Sequence, residues 1–144
     1  MIPLAVLVLG SLGLRLVGFA GVDALDGWQP ALRGGLTLML VLTASAHFAG
    51  RRAELIAMVP RRLPAPAALV TVTGILELAV AAGLVLDVTA PFAAVCLVLL
   101  LAAMFPANVR AARNGLTLGG KAVSRLQTRT AIQAAFLVAA VAAI

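Results

Sequence analysis

Apolar residues fall along this chain in five runs, 2–20, 31–49, 67–86, 92–108 and 127–144, separated by short polar or breaker-rich connections. A surface helix of a soluble protein carries one apolar stripe and a charged opposite face. These runs are apolar nearly all round. A helix rising ~1.5 Å per residue needs about 20 residues to cross a ~30 Å hydrocarbon core, with roughly 17 as the lower limit. The pattern predicts an all-α integral membrane helical bundle of about five helices, with residues 1–144 as a single transmembrane domain. The first run ends Gly18-Phe19-Ala20, with the small residues Gly18 and Ala20 placed as near a secretory cleavage point. No Lys or Arg precedes it and Arg15 sits late within it, so a retained span is expected.

Polar residues inside the runs fall on particular faces. Leu36, Leu40, Thr43 and His47 follow a 4-3-4 spacing, which places them on one side of a helix. Gly34, Thr37, Val41 and Ser45 form a second, small-residue face suited to close helix packing. In the third run Val70, Thr73, Gly74, Glu77 and Ala81 share a face expected to look into the bundle. In the fourth, Leu97, Leu101, Met104 and Asn108 do the same, and Pro106 marks the end of that span.

The connections differ in charge. The first, Gly21–Pro30, is acidic through Asp23 and Asp26 and holds Trp28 where an interfacial anchor belongs. The second carries Arg51, Arg52, Arg61 and Arg62 around a short apolar segment, Leu55 to Val59, that suits an amphipathic turn on a membrane surface. Pro60, Pro64 and Pro66 prevent a continuous helix there. The third is the short turn at Asp87. The fourth, Val109–Thr130, contains Arg110, Arg113, Lys121, Arg125 and Arg129, no acid, and turn signals at Asn114-Gly115 and Gly119-Gly120. The positive-inside tendency puts both basic loops and the N-terminus on the cytoplasmic side. Arg15 and Arg33 then face the outer side, close to Asp23, Asp26 and Asp87.

Composition narrows the chemistry. Hydrophobic residues make up 63% and charged residues 11% of the 144, against roughly 45–50% and 25% in soluble domains. The net charge is +6, but the basic residues flank apolar runs instead of forming a polar face, which argues against nucleic acid and for topology and anionic lipid head groups. Cys96 is the only cysteine and His47 the only histidine. An internal disulfide, a CxxC pair and a bis-histidine haem site are therefore excluded within one chain, and Cys96 is expected to pack as an apolar side chain.

The order of motifs resembles that of the DoxX-like family of small bacterial membrane proteins. The resemblance rests on Ser45-Ala46-His47-Phe48, Arg52-Ala53-Glu54-Leu55, Met58-Val59-Pro60, Leu63-Pro64, Thr73-Gly74-Ile75-Leu76-Glu77-Leu78 and Phe105-Pro106-Ala107-Asn108. It covers a little over half of the chain, and run 2–20 is similar to an addition before that block. It implies a four-helix core in the bacterial cytoplasmic membrane and an association with quinone-linked redox complexes.

Among the polar residues, Glu77 lies near the middle of its span. An ionised carboxylate there costs at least ~2.5–3.5 kcal/mol on insertion scales, which favours the protonated acid. Such a group can donate a hydrogen bond to a quinone carbonyl or relay a proton; it can equally tie two helices together. His47, at the end of its span, is expected to pass protons between Glu77 and the interface, with Thr43 and Thr73 as hydroxyl steps, or else to bond a loop carbonyl. Asn108 is expected either to line the same interior or to satisfy carbonyls at the end of its helix. Glu77 and His47 are thus the candidate catalytic residues, and Asn108, Thr43 and Thr73 the candidate ligand contacts. The chain offers ligands for no resident cofactor or metal, leaving a bound quinone as the cofactor expectation. The partners expected are the lipid bilayer, a redox partner protein and a second copy of the chain. The function expected is that of a redox-associated accessory subunit, with a non-catalytic assembly subunit as the alternative and a permease as a weaker third.

Overall fold

A computed structural model of the chain describes residues 2–144. Among them are six α-helices: α1 (Ile2–Phe19), α2 (Trp28–Phe48), α3 (Arg52–Met58), α4 (Pro66–Val85), α5 (Ala90–Arg113) and α6 (Leu126–Ala142). A 3-10 turn, Asp23–Leu25, links α1 to α2. A short antiparallel hairpin, β1 (Thr117–Leu118) and β2 (Lys121–Ala122), links α5 to α6. Helices α1, α2, α4 and α5 are long and apolar enough to cross a membrane; α6, with 17 residues, is apolar but shorter.

Consecutive long helices run antiparallel, with α1 on α2, α2 on α4, α4 on α5 and α5 on α6. One end of the bundle gathers the start of α1, the end of α2, α3 and the hairpin. The other holds the 3-10 turn, Asp87 and the C-terminus. The core is built from Leu36, Met39 and Leu40 of α2, Leu84 of α4 and Leu97 of α5, all fully buried. Cys96 packs against its edge, as expected. Large apolar side chains also point outward on every long helix, for example Leu9, Val41, Ile75, Leu99 and Val138. This outward apolar surface is compatible with a membrane around the bundle.

Close approaches follow the small residues. A Cβ built on Gly35 would strike the Ser11 hydroxyl and the Leu7 carbonyl of α1, so the α1–α2 contact depends on its absence. Buried Ser11 donates to the Leu7 carbonyl at 2.7 Å, which satisfies it within its own helix. At the acidic end, Arg15 meets Asp26 at 3.0 Å and lies 3.7 Å over the Phe19 ring. Arg33 meets Asp87 at 3.1 Å and donates through Nε to the Ala143 carbonyl at 3.0 Å. The expected neighbourhood of these arginines and acids is thus present.

Three expectations need correction. Trp28 begins α2 instead of lying in the connection, and Pro30 is accommodated in the first helical turn, where its missing N–H costs nothing. Helix α5 does not end at Asn108 but continues to Arg113, with Pro106 inside it. Nor are all the basic-loop arginines confined to lipid contacts. Arg52 donates to the carbonyls of His47 (2.9 Å) and Ala67 (3.0 Å) and to the Thr71 hydroxyl (2.8 Å), and Arg110 donates to the Val59 carbonyl.

The hairpin is held to α3 by one carboxylate. Gly119 and Gly120 both have positive φ, +62° and +72°, as a tight two-residue hairpin turn requires. Their N–H groups point at Glu54, at 2.5 Å and 3.5 Å from its two oxygens. Glu54→Ala should speed amide exchange at Gly119 and Gly120 by on the order of 10-fold, the loss of one charge-assisted bond, while unfolding of the bundle changes little. Unchanged exchange at both glycines would show that the carboxylate does not hold the turn.

Candidate functional site

Between α2 and α4 on one side and α5 and α6 on the other lies a cavity of about 780 Å³. Leu118 and Ser124, from the hairpin strand β1 and the segment after the hairpin, line it near the basic end, and Glu77 lies deepest along α4. Its walls are largely apolar, with Leu101 and Met104 from α5 and Ile132 and Phe136 from α6.

The structure brings Glu77, Thr43 and His47 together. Val70, Gly74, Glu77 and Ala81 are buried on one face of α4, as their spacing predicts, and this face meets the Leu36–Leu40–His47 face of α2. Gly74 makes the meeting close: a Cβ there would lie 2.6 Å from His47 Cβ. One turn deeper, the Thr43 hydroxyl lies 2.9 Å from Glu77 Oε2. His47 Nδ1 lies 3.1 Å from the Thr43 carbonyl and 3.8 Å from Glu77 Oε2. The carbonyl can only accept, so this contact requires the proton on Nδ1 and leaves Nε2 as an acceptor in the neutral ring. The 3.8 Å separation is too long for a hydrogen bond, so Thr43, not His47, is the direct partner of Glu77. Both Glu77 and His47 are about 95% buried.

The other two candidates line the cavity without joining this cluster. The Thr73 hydroxyl bonds to the carbonyls of Leu69 and Val70 in its own helix, at 2.9 and 3.1 Å, and so forms no step toward Glu77. Asn108 sits inside α5, so it caps no helix end; its Oδ1 accepts from Arg129 Nη2 at 2.6 Å. Two residues not singled out from sequence belong to the same wall. Arg129 had been placed in a polar loop, and buried Gln133 donates to the Leu101 carbonyl at 2.7 Å. Their i, i+4 spacing on α6 was the available signal. Among the described residues no group of three or more His, Cys, Asp or Glu could hold a metal ion.

The fold and cavity define a class: an all-α bundle of apolar helices around a partly open cavity with polar groups at two places on its wall. Residues 36–144 match the model of a domain of unknown function, DUF8561, and the chain belongs to that family. The match takes in the whole polar cluster and leaves α1 outside. Comparison with curated proteins and with solved structures gives no match.

Proposed function

We propose that this chain is an integral protein of the bacterial cytoplasmic membrane, with α6 as a fifth span, that holds a quinone-like or small hydrophobic molecule inside its helix bundle. The observation that carries the reading is the cavity itself, an apolar chamber of about 780 Å³ with the Thr43–Glu77–His47 cluster on its wall. Small-molecule sites are typically ~300–1,000 Å³, mostly apolar, with a few placed polar groups. The motif order that resembles DoxX-like proteins supports a redox-associated role beside a partner that supplies the redox centre. The lopsided charge supports the orientation: Arg51, Arg52, Arg61, Arg62 and the basic residues of 109–130 lie at one end, Asp23, Asp26 and Asp87 at the other.

In this reading Glu77 presents an acid proton or accepts one at the head of the bound molecule, and Thr43 fixes the carboxyl group's orientation. The 2.9 Å bond between Thr43 and Glu77 also joins α2 to α4, which favours a second reading in which the polar groups only lock helices in an assembly subunit.

Two measurements separate these. Mass spectrometry of the protein purified in mild detergent should find a retained quinone or comparable hydrophobic molecule, and its absence would favour the assembly role. Glu77→Gln keeps the size and the Thr43 bond but cannot relay a proton. Quinone-dependent turnover in membranes should fall on the order of 10²-fold, the usual contribution of a positioned acid or base. Turnover at the unaltered rate would end the relay.

A further inference from the structure

We propose that the α5–α6 wall of the cavity is an anion subsite, and that it takes a single-chain amphiphile whose carboxylate or phosphate head pairs with Arg129. The inference rests on the reading of this cavity as a ligand site and specifies the chemistry of what enters it.

Arg129 differs from the other arginines that have side-chain partners in the bundle. Arg15 faces Asp26 and Arg33 faces Asp87. Arg52 spends its donors on two backbone carbonyls and the Thr71 hydroxyl, and Arg110 on the Val59 carbonyl. Arg129 has one neutral acceptor, Asn108 Oδ1, bound through Nη2. Its Nε is buried without a partner, as is that of Arg15, but Arg15 has a carboxylate against it and Arg129 has none, which leaves the Nη1 side of the fork for a ligand. None of the ion pairs among the described residues involves it. A guanidinium keeps its charge under all ordinary conditions and presents a planar fork that fits carboxylate and phosphate oxygens. A half-buried cation beside an apolar chamber, with no acid against it, is a charge awaiting a counter-ion.

The neighbours add donors and no negative charge. Asn108 commits its oxygen to Arg129, which leaves its amide N–H groups as donors on the same wall. Arg51, exposed and also lining the cavity, adds a second positive charge. The single acid lining the chamber is Glu77, on α4. Beyond the cation the wall is apolar, through Leu101, Met104, Ile132 and Phe136, and can receive a hydrocarbon tail. The volume of about 780 Å³ suits one chain better than the two of a phospholipid.

The test is equilibrium binding to the full chain in phosphatidylcholine nanodiscs, with empty discs subtracted. Labelled oleate, lysophosphatidate and neutral oleyl alcohol are compared at pH 9. At least one anionic probe should bind about 10- to 100-fold tighter than the alcohol, as one or two charge-assisted hydrogen bonds provide. Which anion binds tighter tells a carboxylate site from a phosphate site. Arg129→Gln should erase the preference, and Arg129→Lys should keep part of it. Equal binding of alcohol and anions, or a preference that survives Arg129→Gln, would overturn the subsite. The comparison on the unaltered chain stands even where the variant does not fold. A labelled quinone is run beside the three probes; if the alcohol or the quinone binds and no anion gains, the subsite fails while the ligand reading stands. If nothing saturates the chamber, both fall.

Discussion

Arg52→Ala should lower the stability of the bundle by about 2–3 kcal/mol, because one guanidinium holds three acceptors from two helices. Its Nη1 donates to the His47 carbonyl near the end of α2, and its Nη2 donates to the Ala67 carbonyl and the Thr71 hydroxyl in the first turns of α4. The connection it spans carries Pro60 and Pro64 and ends at Pro66, the first residue of α4, so the backbone there cannot supply a continuous hydrogen-bonded helix. Carbonyls at the end of α2 need a partner, and truncation removes the one for His47. Lysine is a point donor on a flexible stem and cannot reproduce the fork, so Arg52→Lys should recover less than half of the loss. Unfolding in mixed SDS micelles measures both variants. An Arg52→Ala protein as stable as the parent would mean that these bonds merely replace equivalent ones to water or lipid head groups.

Arg52 also shows which parts of this molecule could be read in advance. The inward faces of α2 and α4 were legible because their period is local: Leu36, Leu40 and His47, and Val70, Gly74, Glu77 and Ala81, are buried where their spacing puts them. The partners of the basic residues were not legible. Two of Arg52's three acceptors, and the acceptor of Arg110, are backbone carbonyls, which every residue has and which leave no mark on a sequence. The length of α5 was lost for a related reason. Pro106 reads locally as a stop, yet the helix continues to Arg113 because Arg110 and Asn108 find partners on the α3–α4 connection and on α6. Of the candidate site, the sequence sets Glu77 against His47 with Thr43 as a hydroxyl step between them; in the structure Thr43 lies 2.9 Å from Glu77 Oε2, and His47 lies beyond hydrogen-bond reach of it. Thr73 shares the Glu77 face but turns its hydroxyl back to its own helix, a choice of rotamer that spacing does not specify.

Gly74 carries the second large expectation, because fold and site meet there. A Cβ on Gly74 would lie 2.6 Å from His47 Cβ and 2.9 Å from the Phe48 ring. The first is an atom fixed to the α2 backbone and cannot swing aside, so α2 and α4 would have to separate. Alanine gains up to about 1 kcal/mol over glycine in helix propensity. The steric penalty of overpacking, typically 1–3 kcal/mol, opposes that gain and should exceed it at this position. Gly74→Ala is therefore expected to destabilise the bundle, and Gly74→Leu to prevent accumulation of folded protein. Gly13 supplies the control: nothing lies within 4 Å of its Cβ position, so Gly13→Ala in α1 should be neutral or stabilising. The alanine variant should also lengthen the Thr43–Glu77 bond, now 2.9 Å, and so weaken retention of whatever the cavity holds even while folded protein is recovered. If Gly74→Ala is as stable as Gly13→Ala and retains the same hydrophobic molecule, α2 and α4 are not in the contact described, and the polar cluster that depends on their closeness is not assembled as drawn.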